Sequence, residues 1–476
     1  MLKYSTLVKQ LAVSALLCAS LQAQVPAYRG TPGNGSEPAR SAAVTPTNGS
    51  GSGVEVAADS GTDLGAQVNA AILKLPLMPV HTSGERVQHC GVIRIPPGKY
   101  SSSTTMIKPN CVTIEGNGAQ IVYLGKTMAI AEAGFLSDSY ANVTGGINNL
   151  WLQGPGNHLG AGFGDTTGLL IGGDPSGVVV PSDYGAYAQS NQNLHIEGFH
   201  TGIMLGGFSS LNSQMGGEIS NNYQGIWAPN NTVGAGEQFD LYAVVINNNY
   251  QTGIVNDIGY EIKQYGGSID YTGGVPGQPF YAGNKFALSG TNVAYEGHGV
   301  HFEQDSGPII NMVGNSSILS LFGGTVYESA RPGSSKAFLQ VFGLNNTIIL
   351  EGVDFQAEHP MAELIDWNGT GTAGSLTIHG SAGNYAHATP VVGNTKGISA
   401  WDVVEGDTHF GANGVISQST ATGIVQGGLT WTNGSGPPPP GAGVCVTGSL
   451  YSNLSSGDSL YGKSLYVCEN KKWVAK

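Results

Sequence analysis

Charge is the scarcest commodity in this chain. Only 11% of its 476 residues are Asp, Glu, Lys or Arg, against about a quarter in ordinary soluble domains. Cations are fewer still. Between Thr127 and Ala330 the only Lys or Arg residues are Lys263 and Lys285, and Arg331 is the only Arg after Arg94. A nucleic-acid partner needs basic surface, so that class is excluded. A polyanionic glycan would find few direct cationic partners, which leaves a largely neutral ligand or one bridged by a divalent cation. No stretch after the first two dozen residues is long and apolar enough to span a bilayer. Cysteines are few, and the paired Cys-x-x-Cys and nearby His pattern of a zinc module is missing.

What is abundant is glycine, 74 residues in all, roughly twice the usual share. Asn comes in runs, Asn221-Asn222 and Asn247-Asn248-Asn249. Both residue types tolerate left-handed backbone and mark turns. Many turns between short apolar segments indicate an all-β coil of repeats. The Asn runs, at equal turn positions, read as hydrogen-bonded stacks with a structural role. Ile203, Ile226 and Ile254 lie at repeat spacing, as strands stacked in a parallel coil would.

Residues 1–23 read as a secretory signal: Lys3 and Lys9, an apolar run Leu11–Leu21, and Ala23 at the cut. The expected product is exported, extracellular or periplasmic, and two charges more acidic than −13. Residues 24–53 form a Gly/Pro/Ser/Thr-rich lead. Thr62 or Asp63 can cap a helix whose face is Leu64, Val68, Ala71, Ile72 and Leu75, ended by Pro76. A repeat coil exposes core at its ends, so a capping element is required there. The coil is expected over 54–433. A stiff linker, 434–443, contains Pro437 to Pro440, and a small module follows at 444–476. Four cysteines remain after export and allow three pairings. Proximity favours Cys90–Cys111, on neighbouring rungs, and Cys445–Cys468, stapling the small module.

Gly91 to Tyr100 is an apolar strand ending in Pro-Pro-Gly-x-Tyr, and Val112-Thr113-Ile114-Glu115-Gly116-Asn117-Gly118 follows it. With the preceding helix, this opening resembles the start of the pectate-lyase-like superfamily. The resemblance covers about residues 54–125 by motif and the rest by repeat character. It implies a right-handed parallel β-helix and a polysaccharide as partner. It does not fix the activity, because the superfamily holds lyases, hydrolases, epimerases and phage tailspikes. Lyases of the family work with Ca²⁺-binding carboxylates and an Arg or Lys base, and Arg331 is the one candidate base here. Of the polygalacturonase elements only Gly297-His298-Gly299 is present, and it reads as a turn.

Four segments point to a site: Ser268–Thr272, Asn292–Glu296, Gly324–Glu328 and Gly352–Gln356. Each carries an aromatic residue, Tyr271, Tyr295, Tyr327 or Phe355. If these aromatics share an inward phase, Asp270, Glu296, Glu328 and Asp354 form an outward acidic stripe. Glu296 and Glu328 would then lie about 5 Å apart, the separation of a retaining glycosidase pair. Asp354 and His298 join the catalytic set, and Asp270, His301, Glu303 and Arg331 the substrate-binding set, with Asp240, Asp257 and Glu261 next in line. Three readings follow: a glycoside hydrolase needing no cofactor, a lyase using Ca²⁺ and Arg331, or a non-catalytic glycan-binding or adhesive β-helix. Oligomeric state is left open.

Overall fold

The computed structural model describes residues 53–56, 61–79, 87–134, 144–156, 162–232, 234, 236–272, 286–288, 290–304, 309–328, 337–357, 365–367, 374–379, 382–385, 398–403, 409–410, 423–426, 429–434, 450–453, 465–469 and 472–475. All lie in the compact unit Gly51–Lys476. Among the described residues two parallel sheets dominate, one of 21 strands and one of ten. A typical turn of the coil runs Gln238–Tyr242, bends, continues as Val245–Asn247, turns again, and crosses to the second sheet as Thr252–Asn256. The next turn repeats this as Glu261–Tyr265, Ser268–Asp270 and Phe286–Leu288, each strand in register with the one below. The expected right-handed parallel β-helix is the fold.

The core is a set of stacked rows. Ile121, Leu152, Ile196, Ile219, Ile246, Ile269, Phe302, Val326 and Phe355 stand in successive register and are all buried. Phe239, Ile262, Tyr295, Leu319, Ile348 and Leu376 form a second row, and Leu169, Ile203, Ile226 and Ile254 belong to a third on the other sheet. Burying each aliphatic side chain contributes roughly 1.5–3 kcal/mol before entropy is counted. Stacking apolar side chains at about 4.8 Å keeps the rows close-packed.

The bend inside the 21-stranded sheet explains part of the glycine and asparagine excess. At this bend one residue per turn has φ between 49° and 65°: Asn117, Asn149, Asn193, Gly216, Ala243, Gly266, Gly299, Gly323 and Gly352. Eight of these nine are Gly or Asn. Ala243 is the exception, and its Cβ is strained in that conformation. Ala243→Gly is therefore expected to raise stability by about 1 kcal/mol in urea unfolding. An unchanged or lowered midpoint would show that the corner tolerates a Cβ freely.

The second turn holds its own ladder. Asn249 Oδ1 accepts from the Asn222 backbone N–H at 3.1 Å, and Asn222 Oδ1 accepts from Phe199 N–H at 3.0 Å. Asn222 and Asn249 are both fully buried, so the amide stack satisfies backbone groups that water cannot reach. The Asn runs are structural here, as expected.

Helix α1, Leu64–Ile72, closes the N-terminal end. Asp63 caps it, accepting from Ala66 N–H at 3.1 Å and reaching across to the backbone N–H groups of Ser103 and Thr104. Desolvation alone would raise the Asp63 pKa, but the hydrogen bonds from Ser103, Ala66 and Thr104 bring it down to about 2. The predicted face, Leu64, Val68, Ala71, Ile72 and Leu75, is buried throughout and joins the main core. Asn69 fixes the helix to the first turn, donating to Thr105 O and accepting from Ile107 N–H.

Cys90 and Cys111 form the expected disulfide, their Cα atoms 5.0 Å apart. Cys468 is also disulfide-bonded; its expected partner, Cys445, lies outside the described residues, as does the proline linker. Near the C-terminus lie the strands Leu450–Asn453, Leu465–Glu469 and Lys472–Ala475. They share a five-stranded sheet with Gly423–Gln426 and Leu429–Gly434, so residues on both sides of the linker build it. Among the described residues no helix is long and apolar enough to cross a membrane. Residues 1–52, with the expected signal, lie outside the description.

Candidate functional site

The predicted stripe is split by the corner. Glu296 lies before it, outward, in register with Lys263 below and Ser320 above. Glu328 lies after it, in register with Gln304 and Ala357, and its side chain is outside the description. One-rung stacking of Glu296 on Glu328 is therefore not the arrangement. The physical reason is that the four aromatics do not share a phase. Tyr295 is inward before the corner. Tyr327 is level with Glu303 and Gln356 after it, while Val326 fills the inward slot beside Phe355. Tyr271 has left the strand altogether, with φ 45° and 40% exposure.

The outer wall nonetheless gathers most of the predicted side chains, and it pairs them with each other. Asp240, Lys263 and Glu296 form one row. Asp240 accepts from Gln238 at 2.7 Å and Tyr242 at 3.3 Å; Glu261 meets Lys263 at 3.3 Å; Glu296 meets His298 at 2.6 Å. Asp354 accepts from Gln356 at 2.6 Å. Beside that row runs an aromatic ladder, Tyr242, Tyr265, His298 and Phe322, with centroids 4.9–5.0 Å apart and planes within 19°. The inner ring faces of this ladder are covered by the next ring, so they offer edges and not platforms to a sugar. Asp240 and Glu296 are two rungs apart, but Lys263 stands between them where a glycosidase pair would need substrate and water. Past the corner, Asp270, His301 and Glu303 converge. Arg331 lies outside the described residues.

A cleft of about 430 Å³ lies on the other sheet, at the outer edge of Met128–Glu132, Thr167–Ile171, Thr201–Leu205 and Gln224–Ala228. Trp227 and Met204 give it an apolar floor in register on adjacent strands. The indole N–H donates to Asp257 at 2.9 Å, which fixes the ring. One wall is the segment 174–179. The buried Asp174 carboxylate accepts from the N–H groups of Ser176, Val178 and Val179 and from the Ser176 hydroxyl, which makes this wall rigid.

Lys126, Asp165 and His200 bring the cleft its chemistry. The His200 ring is stacked on Tyr223 at 4.8 Å, and Tyr223 on Tyr250 at 5.6 Å. Burial pushes the His200 pKa below its ordinary 6.5, with the Asp165 carboxylate pulling the other way. The imidazole is therefore neutral near pH 7 and able to accept a proton.

Sequence reasoning missed these three residues. Lys126 and Asp165 stand two positions before their strands, and His200 one before its own. Extending the Ile203, Ile226, Ile254 alignment backward to Leu169 and Ile130 would have shown polar groups recurring at that turn. Asp257 was noted in sequence, and its place is under Trp227.

No family model and no curated protein matches the chain. Among solved structures it is similar to the ORF18 protein of Geobacillus virus E2, at 11% identity over 89% of this chain and 86% of that one, TM-score 0.47. It is also similar to the A-module of a mannuronan C-5 epimerase from Azotobacter vinelandii, at 12% identity over 75% and 97%, TM-score 0.44. A third is DFA-IIIase from Arthrobacter chlorophenolicus A6, at 12% identity over 76% and 95%, TM-score 0.41. Such distant likenesses say nothing of activity, and the fold rests on the strand register itself.

Proposed function

We propose that this protein is an exported, polysaccharide-active β-helix that cleaves its substrate in the cleft beside Trp227. The observation that carries the reading is a neutral, part-buried imidazole, His200, opening onto a cleft that also holds an aromatic floor and the charged groups Asp165 and Lys126. A saccharide unit has one apolar face, which matches Trp227 and Met204, and hydroxyls, which match the polar rim. His200 serves as general base toward an attacking water: the water oxygen bonds to the anomeric carbon as the glycosidic C–O bond breaks, the leaving oxygen takes its proton from solvent, and the reaction is hydrolysis. Neither a metal nor another cofactor enters this step. The scarcity of cations makes a neutral glycan the better substrate class.

The test is reducing-end release from a panel of neutral and acidic polysaccharides by the exported chain. At least one neutral glycan should be cut. Trp227→Ala should raise KM about tenfold, as loss of roughly 1.4 kcal/mol of ring contact would. Unchanged KM on the true substrate would remove the cleft from consideration. A product absorbing in the ultraviolet, from a new double bond, would reassign the reaction to a lyase.

A further inference from the structure

The corner splits the outer wall, and the far side of it holds a different kind of cluster. Asp270 and Glu303 are direct register partners on adjacent parallel strands. His301 stands two residues before Glu303, so both project from the same face. One ligand atom from each of Asp270, His301 and Glu303 lies within 4.8 Å of the others. His301 Nε2 and Glu303 Oε2 are 3.5 Å apart. Donors held at about 2.0–2.1 Å in a tetrahedron are about 3.3–3.4 Å from one another. The His301–Glu303 spacing is already close to that value.

We propose that Asp270, His301 and Glu303 bind one divalent transition-metal ion, with Zn²⁺ the best match. The imidazole decides the metal class. Ca²⁺ and Mg²⁺ take oxygen ligands, six or more for Ca²⁺, whereas one nitrogen with two carboxylates suits zinc and its neighbours. The imidazole also distinguishes this cluster from a patch of surface acid. The ligands stand on strands flanked on both sides, by Asn247 below Asp270 and Tyr327 above Glu303, which fixes their backbone spacing. The Tyr271 hydroxyl donates to Glu303, as outer-shell groups commonly orient a ligating carboxylate. Three protein ligands leave a position for water.

The experiment uses the full exported chain, stripped with chelator and titrated calorimetrically with Zn²⁺ and, separately, Ca²⁺. One Zn²⁺ equivalent should bind at this site and raise the thermal midpoint, because only the folded chain presents the ligands together. His301→Ala and Asp270→Asn, with folding checked by circular dichroism, should each weaken that binding at least about tenfold. The inference fails if Zn²⁺ does not bind saturably or binds the His301→Ala variant equally well. It also fails if Ca²⁺ binds tightly and is indifferent to His301. The readout is binding, so it stands or falls apart from the cleft, and His200→Ala should leave it untouched.

Discussion

Glu132→Gln is expected to destabilise the protein by about 3–5 kcal/mol, the cost of leaving a buried charge without its partner. Lys108 and Glu132 are register partners on the second sheet, in a row that continues as Ile171 and Leu205. Both are fully buried, with Nζ and Oε1 2.7 Å apart. Lys108 also donates to Gln189 Oε1 at 2.8 Å and Pro109 O at 3.3 Å, and Asn191 donates to Glu132 Oε2 at 3.0 Å. Burial pushes the Lys108 pKa down, and Glu132 opposes it. The ammonium survives in the core only because the carboxylate is there. Glutamine keeps the shape and removes the charge, so the lysine alone bears the loss. Lys108→Met should cost a similar amount by stranding Glu132. The double variant Lys108→Met/Glu132→Leu should be less destabilised than either single one, since no buried charge remains. Chemical unfolding midpoints of the four proteins measure this. A single-variant cost below about 1 kcal/mol would mean that water reaches the pair.

The pair illustrates where sequence reading stops. Lys108 sits in Met106–Lys108 with one hydrophobic neighbour on each side of the strand, and nothing local marks it as interior. Its partner is 24 residues away, and only stacking brings them together. By contrast, helix α1 was legible because its whole argument is local: a capping Asp63, a face at helical spacing, and Pro76. Pro-Pro-Gly-x-Tyr was legible for a similar reason, since the Tyr100 hydroxyl closes back on Pro96 O at 3.0 Å. The disulfide Cys90–Cys111 followed from two adjacent rungs. The acidic stripe misled because segments before and after the corner were aligned on their aromatic residues, whereas one left-handed residue at the corner sets the phase of the strand that follows. Gly266, Gly299, Gly323 and Gly352 mark that corner. Reading them as the boundary between two strands puts Glu296 and Glu328 on different faces. The cleft was missed for another reason: Lys126, Asp165 and His200 occupy turns, where neither alternation nor helical spacing gives a phase and only the alignment of the strands that follow marks the place.

His200→Ala is expected to lower kcat/KM by at least about 10²-fold, the usual lower size of a general-base contribution. The imidazole also packs on Tyr223, so a drop in activity alone would not separate chemistry from lost packing. The pH profile does. Only neutral imidazole accepts a proton, so activity should fall as pH drops through the His200 pKa. That acid limb should lie below 6.5, because burial outweighs the Asp165 charge. Asp165→Asn leaves the ring in place and removes the carboxylate that favours its charged form. The limb should therefore move to still lower pH, while the thermal midpoint stays close to that of the parent. A merely structural His200 would give no such movement. An acid limb at or above 6.5, or one that rises when Asp165 is neutralised, would rule His200 out as the base. It would leave the neighbouring carboxylates as the groups to examine next.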